Sequence, residues 1–285
     1  LKAPAKTLQE QLPELRPQQS IELLQELHIL TREGKLNQDT RRKLKQVYHL
    51  VRFIEPLLEE VLGARGDVTL ADHGAGKSYL GFILYDLFFK NRPVGRVWGV
   101  ESRAELVDKS RELASRLGFE RMAFLATTVQ QALTHPDLPA QIDVVTALHA
   151  CDTATDDAIA FGLAKQARFM VLVPCCQAEV ASVMRQHKAL SLKRSVLAEL
   201  WRHPLHTREF GSQITNVLRC LQLEANGYNV TVTELVGWEH SMKNELILAR
   251  RMERDRAAHQ ARARERLLQV LDELNLQVLT QRFAA

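Results

Sequence analysis

Long apolar runs are missing from this 285-residue sequence. None reaches the roughly twenty residues that a membrane-spanning helix needs, so no membrane partner is expected. The opening Leu1-Lys2-Ala3-Pro4 does not begin a signal peptide, because no apolar core follows it. Cysteine is scarce. Cys151, Cys175, Cys176 and Cys220 are too few for a disulfide framework in a chain this long, and adjacent Cys175 and Cys176 would bridge awkwardly. A reducing, cytoplasmic setting is the expectation. There is also no Cys-x2-Cys pair. His149, Cys151, Cys175 and Cys176 have the right chemistry for a tetrahedral zinc centre but the wrong spacing, so no metal is expected. Internal repeats and low-complexity tracts are absent as well.

An excess of one charge sign is lacking too. Lys and Arg number 38 against 34 Asp and Glu, a formal net charge of only +4. The distribution says more than the sum. Arg250, Arg251, Arg254, Arg256, Arg262, Arg264 and Arg266 face only Glu253, Asp255 and Glu265 in sequence. A second basic stretch holds Arg185, His187, Lys188, Lys193, Arg194, Arg202, His203, His206 and Arg208. Such clusters can neutralise phosphates, which makes nucleic acid the expected partner at residues 185–208 and 250–266. The alternative is a solvated face with internal ion pairs. The sequence does not indicate an oligomeric state.

What is present is a change of period along the chain. Residues 1–62 read as a helical annex, with one amphipathic helix at Ser20–Leu27 and a longer one from Thr40 to Leu62. Gly63-Ala64-Arg65-Gly66 marks a boundary. Strand candidates then follow at Val68–Ala71, Val97–Val100, Met122–Ala126, Ile142–Leu148, Arg168–Val173, Tyr228–Val236 and Leu246–Arg250. Helix patterns separate the first five, which implies parallel strands with right-handed crossovers. A short polar turn joins the last two, which suits an antiparallel hairpin. The expected fold is α/β: a Rossmann-like seven-stranded sheet of five parallel strands plus a C-terminal hairpin. It would span residues 63–251, with a helical insert at 178–226 serving as a lid or substrate surface. Residues 252–285 would add a basic, then amphipathic, C-terminal helix.

The most informative stretch is Val68-Thr69-Leu70-Ala71-Asp72-His73-Gly74-Ala75-Gly76-Lys77-Ser78, followed by an amphipathic helix pattern from Tyr79 to Phe89. Glycines allow a sharp turn and close approach of a ligand. One reading is a relaxed phosphate loop, Ala71-x4-Gly76-Lys77-Ser78. The other resembles the loop of class I methyltransferases that holds S-adenosylmethionine (AdoMet). An acid at the strand end suits a cationic ligand and repels a polyphosphate. Glu101 ends the next strand, where dinucleotide folds grip a ribose diol. No apolar run ends in an Asp placed to hold Mg²⁺. These features favour AdoMet over ATP.

Ligands of open parallel sheets bind beyond the carboxyl ends of the strands. Asp72, His73, Gly74 and Gly76 follow the first strand, Glu101 and Ser102 the second, and Thr127 and Thr128 the third. Leu148-His149-Ala150-Cys151-Asp152 closes the fourth, and Pro174-Cys175-Cys176-Gln177 follows the fifth. Three cysteines and two histidines thus share one rim. The boxes Leu148-His149-Ala150-Cys151-Asp152-Thr153-Ala154-Thr155-Asp156-Asp157 and Val173-Pro174-Cys175-Cys176-Gln177 resemble a branch of class I AdoMet-dependent methyltransferases. That branch includes the glutathione-S-transferase-C-terminal-domain-containing protein. More distantly, the boxes are similar to those of a tRNA acceptor-stem 2′-O-methyltransferase. The resemblance covers roughly residues 66–251. Ser78 stands where many class I enzymes have a third glycine, and Gln177 where the tRNA enzyme has His.

The resemblance implies AdoMet as cofactor and RNA as substrate. Asp72, His73, Gly74, Gly76, Lys77, Glu101, Ser102, Thr127, Thr128 and Leu148 are the candidate donor-binding residues. His149 is the candidate general base and Asp152 its orienter, because an unperturbed imidazole titrates near neutrality. A C5-pyrimidine mechanism, with Cys151, Cys175 or Cys176 as nucleophile, is the alternative chemistry. A phosphate-loop protein and a catalytically silent AdoMet-binding module are the alternatives in kind. Each residue also has a plain structural reading. Asp72, Thr127 and Thr128 could cap helices, Lys77 could face solvent, and the cysteines could be small buried hydrophobes.

Overall fold

A computed structural model describes residues 15–35, 37–76, 78–148, 152–174, 177–187, 196–235, 245–253 and 256–284. Its seven strands are β1 (Thr69–His73), β2 (Arg96–Glu101), β3 (Met122–Ala126), β4 (Val144–Leu148), β5 (Phe169–Val173), β6 (Tyr228–Glu234) and β7 (Glu245–Arg251). They form one sheet in the order β3-β2-β1-β4-β5-β7-β6. The neighbours β1/β2, β2/β3 and β4/β5 are parallel, whereas β7 runs antiparallel to both β5 and β6. This is the expected Rossmann-like class, with strand ends differing by one or two residues from the pattern read in the sequence. The chain divides into two compact units, residues 1–127 and 128–285.

The first unit begins with α1 (Ile21–Glu26) and α2 (Gln38–Arg65). Ser20 caps α1 by accepting from the Leu23 N–H. Asn37 and Thr40 form a reciprocal capping box at the start of α2. The α2 helix runs through Gly63 and stops only at Gly66, where φ is +73°. The sequence boundary at 63–66 therefore narrows to its last glycine, the residue able to close a helix in left-handed geometry. On its inner face α2 buries Leu44, Val47, Val51, Ile54, Leu58 and Val61.

The helix after β1 differs from expectation. It is α3 (Tyr79–Leu84), continued by a π-turn at Tyr85–Phe89, and it is not amphipathic. Leu80, Phe82, Ile83, Leu84, Tyr85, Phe88 and Phe89 are all buried. Phe82 packs on Phe124 and Phe119, and Tyr85 stacks on Phe119. On another side the annex reaches it: the backbone N–H of Ser20 donates to Asp86 at 2.8 Å. A helix covered from several sides is apolar all round. After β2, α4 (Ala104–Arg116) leads to β3.

The second unit contains α5 (Val129–Leu133), α6 (Thr153–Ala164), α7 (Glu179–His187), a 3₁₀ turn at Val196–Arg202, α8 (Pro204–Ala225) and α9 (Ala257–Glu273). A further 3₁₀ turn (Gln277–Leu279) and α10 (Thr280–Phe283) follow. The C-terminal segment is thus not one helix. It breaks after Leu274, where Asn275 has φ +53°. Leu267 and Leu271 are buried, whereas Leu268 and Val278 are exposed. Within the insert, α8 buries Thr215, Asn216, Leu218, Arg219 and Leu223, and joins Val180, Met184, Leu267, Leu271 and Phe283 in the core of its unit.

Candidate functional site

In the first unit the apolar β1 strand ends in Asp72 and His73, both buried. The next turn places Gly74, Gly76 and Ser78 at φ +62°, +54° and +50°. Three left-handed positions within five residues fold the backbone back over the strand ends. Ala75 donates to the carbonyl of Val100 at 3.3 Å, which pins the loop to β2. The Asp72 carboxylate points at the start of α3. Its Oδ2 accepts from Ser78 Oγ at 3.1 Å and from the Gly81 N–H at 3.2 Å. Gly81 makes that approach possible. A Cβ there would lie 2.5 Å from Ser78 Oγ and 3.2 Å from Asp72 Oδ2.

Glu101 closes β2 and organises the loop from the other side. Its Oε2 accepts from the Gly76 N–H at 2.8 Å and from Arg103 Nη2 at 3.1 Å. Its Oε1 accepts from Arg103 Nε at 2.9 Å, from the Arg103 N–H at 3.1 Å and from Ser102 Oγ at 3.4 Å. Burial pushes this carboxyl up. The side chain and backbone of Arg103 and the N–H of Gly76 outweigh burial and hold it at about 2. Glu101 is therefore ionised at any physiological pH. Burial drives the His73 imidazole down to about 4, against a smaller opposing pull from Glu101, so that ring is neutral. Thr127 is buried, and its N–H donates to the Glu101 carbonyl at 3.0 Å.

Two carboxylates end adjacent parallel strands, and a glycine turn with left-handed backbone lies between them. Asp72 is matched in charge to an ammonium or sulfonium. Glu101 is matched to a diol, although its own chain already fills its acceptor sites.

In the second unit, Thr128 forms a capping box with Gln131 at the start of α5, the plainer of its two readings. Leu148 is the half-buried last residue of β4 and pairs in register with Val173. Asp152 follows. Its φ and ψ are +50° and −119°, a strained backbone for a residue with a Cβ. Its Oδ1 accepts from the N–H groups of Ala178 at 3.0 Å and Glu179 at 3.3 Å. The segment after β4 is thereby tied to the segment after β5. Lys77, His149, Cys151, Cys175 and Cys176 lie outside the described residues.

A buried polar network holds both segments, and sequence reading missed most of it. Arg219 on α8 is fully buried. Its guanidinium forks Asp156, at 2.6 Å and 3.0 Å, and donates to the carbonyl of Asp152 at 2.8 Å. It also donates to Asn216 Oδ1 at 3.2 Å. Gln177 Nε2 donates to that same oxygen at 3.1 Å, while its Oε1 accepts from Ser212 at 2.7 Å. Asn216 in turn donates to Glu245 at 2.7 Å. Gln177 is thus held by α8 at both ends of its amide. Among the described residues, Cys220 is the free cysteine, and it is no nucleophile. Burial, with Glu245 and Glu224, pushes its thiol up to about 12 against the pull of Arg219.

Among the described residues, no cluster of His, Cys, Asp and Glu could hold a metal. None of their helices is long and apolar enough to cross a membrane. Residues 42–183 match the family described as "Methyltransferase domain". That span begins inside α2 and ends inside α7. No curated protein matches the chain. Among solved structures, an rRNA methylase from Streptococcus thermophilus is 10% identical, with TM-score 0.44, covering 71% of this chain and 96% of that one. The magnesium protoporphyrin IX methyltransferase of Synechocystis PCC 6803, solved with bound SAH, is 12% identical, with TM-score 0.45, covering 81% and 93%. A methyltransferase from Podospora anserina, also SAH-bound, is 11% identical, with TM-score 0.44, covering 82% and 87%. By that match, residues 42–183 of the chain read as a methyltransferase domain.

Proposed function

We propose that the methyl acceptor is RNA and that the transfer is to an oxygen or exocyclic nitrogen. Asp72, His73, Gly74, Gly76, Lys77, Glu101, Ser102, Thr127, Thr128 and Leu148 form the donor-side set in this reading. His149 takes the acceptor's proton. Asp152 is the orienter of that base in this reading. The observation that carries the acceptor side is Asp152 itself. Its left-handed backbone persists because three hydrogen bonds hold it, two to Oδ1 and one from Arg219 to its carbonyl. Strain of this kind, worth roughly 1–3 kcal/mol, collects at functional sites.

The donor, when bound, supplies a methyl group already activated on a sulfonium. The chain's task is alignment and a route for the proton. Asp72, Glu101 and the glycine turn would hold that donor, which would give up its methyl group to the acceptor and be left as a thioether. The acceptor's proton passes to His149. RNA as acceptor is supported by exposed arginines, Arg256 at the N-cap of α9 and Arg262 and Arg264 on it. The test is transfer of label from methyl-labelled AdoMet to total RNA from cells lacking this enzyme. Digestion to nucleosides then shows which atom is modified. Label appearing in protein or small molecules, with none in RNA, overturns the RNA reading.

A further inference from the structure

The helices of the second unit leave an open cavity of about 730 Å³. Its walls come from α6, α7, the end of α8 and the C-terminal turn. That volume lies in the range of sites for small molecules. The C-terminal wall is pinned twice. Arg282 Nη2 donates to Glu179 at 3.0 Å, and Gln222 Nε2 donates to the Arg282 carbonyl at 3.1 Å. Leu163, Val183, Val278 and Leu279 supply the apolar lining, and Val278 is 66% exposed.

The charged lining is unbalanced. It holds three acids, Asp156, Asp157 and Glu179, against the single cation Arg282. Two of the acids are matched: Arg219 forks Asp156, and Arg282 holds Glu179. Asp157 is the remainder. It is half-buried and makes no hydrogen bond or ion pair among the described residues. Burial pushes its carboxyl up, against the pull of Arg282 and with a further push from Asp156. A second group in the lining is also unmet. Gln222 is only 4% exposed, and its Oε1 has no partner among the described residues. Buried acceptors are nearly always paired, so an orphan beside a cavity calls for a donor. A carboxylate without a counter-charge and an acceptor without a donor are both met by a cation that carries N–H groups. An anion would be repelled by Asp157, and a purely apolar molecule would leave both groups unmet.

We propose that this cavity is a binding site for a small organic monocation, an ammonium head on a short hydrocarbon stem. The head is held by Asp157 and Gln222, and the stem lies along Leu163, Val183 and Val278. An ammonium offers three donors, enough for both acceptors with one left for water. The site is independent of the RNA reading, because none of the residues lining it belongs to the donor-side set or to the acceptor chemistry.

The test titrates the full chain with n-butylammonium, followed by saturation-transfer NMR, with butyrate and butanol as controls of charge. Saturable binding with a Kd on the order of millimolar is expected for so few atoms, and neither control should saturate in that range. Asp157→Asn keeps the size of the side chain and removes its charge, and should weaken the probe about tenfold or more. Gln222→Leu should weaken it roughly fivefold. Near-UV circular dichroism reports whether each variant is folded. Ala160→Lys is a second route that leaves the core untouched, because Ala160 is an exposed position in the lining. It brings an ammonium one helical turn from Asp157 and should abolish probe binding. Wild-type protein that shows no saturable binding of butylammonium overturns the inference. Equal binding by wild type and by folded Asp157→Asn or Ala160→Lys overturns it too, as does butyrate or butanol binding as tightly as the cation.

Discussion

Arg219 and Asp156 form a two-point ion pair in which the arginine has no exposure and the aspartate almost none. Breaking such a pair leaves one buried charge unmatched, which costs about 3–5 kcal/mol. Arg219→Ala should lower stability by that amount in urea unfolding. It should also reduce activity in the surviving folded fraction, because Asp152 and Asn216 lose the same guanidinium. The double change Arg219→Met with Asp156→Leu should recover much of the stability but not the activity. Recovery of both would reduce the pair to packing.

Gly81→Ala should reverse the usual helix rule. Alanine ordinarily stabilises a helix interior over glycine by about 1 kcal/mol. Here the new methyl meets Ser78 Oγ and the Asp72 carboxylate. Overpacking of this kind costs about 1–3 kcal/mol. Thermal unfolding of Gly81→Ala, and of Gly81→Ala with Ser78→Gly, should show loss in the first and partial rescue in the second. A stabilised single variant would contradict the geometry.

His73 should make the protein acid-sensitive in a defined window. Unfolded, its ring takes a proton near 6.5, and folded only near 4. Between those values the unfolded chain binds the extra proton, so stability falls as the pH falls. The contribution is complete above about 6.5 and is progressively lost towards 4. The full effect is on the order of 3 kcal/mol. His73→Gln should flatten the unfolding midpoint between pH 7 and 5 relative to the wild type. Parallel curves for the two proteins would place the acid response elsewhere.

Donor binding should depend on three charged residues with different signs. Asp72→Ala and Glu101→Ala should each weaken AdoMet by roughly 1–3 kcal/mol, as loss of a buried charge-assisted hydrogen bond does. Arg103→Ala should tighten it several-fold, because a carboxylate offers about four acceptor sites and the Arg103 side chain occupies two of those on Glu101. Calorimetry with AdoMet, and with ATP and Mg²⁺ as the control, measures all three. Weaker binding by Arg103→Ala would make that arginine a donor contact. Tight ATP binding dependent on Lys77 would restore the phosphate-loop reading.

The acceptor chemistry separates by substitution. His149→Ala should abolish turnover, while Cys175→Ser and Cys176→Ser should cost little. A cysteine nucleophile would invert that pattern and trap RNA containing 5-fluorocytosine as a covalent adduct. Such an adduct would move the proton-accepting role away from His149.

The strands were legible because each apolar run gives way to polar residues at its end, as at Asp72 and Glu101, although β1 itself runs on to His73. The order of elements followed from the alternation of periods two and 3.6. The burial of α3 was not legible, because its covering comes from Ser20 and α2, far away in sequence. Arg219 was hidden for a related reason. An arginine within an amphipathic helix reads as solvent-facing until Asp156, 63 residues earlier, is brought against it. The role of Gly81 was equally invisible, since nothing local says which side chain will fill the space of its missing methyl. Thr128 shows the opposite bias: a plain N-cap was legible beside the ligand reading, and the capping box is what its side chain makes.

The placing of β7 between β5 and β6 has a consequence for synthesis. The chain makes β6 before β7, yet β6 touches the sheet only through β7. A nascent chain that has emerged only to Glu234 therefore carries β5 with one edge bare and β6 with no partner at all. Both are templates for wrong pairing until the last strand slides between them. Closing that gap joins Phe169 to Arg250, a separation of many tens of residues that slows folding by its loop entropy. Ribosome-stalled chains ending before Glu245 should thus recruit chaperones, and those extending past Arg251 should release them.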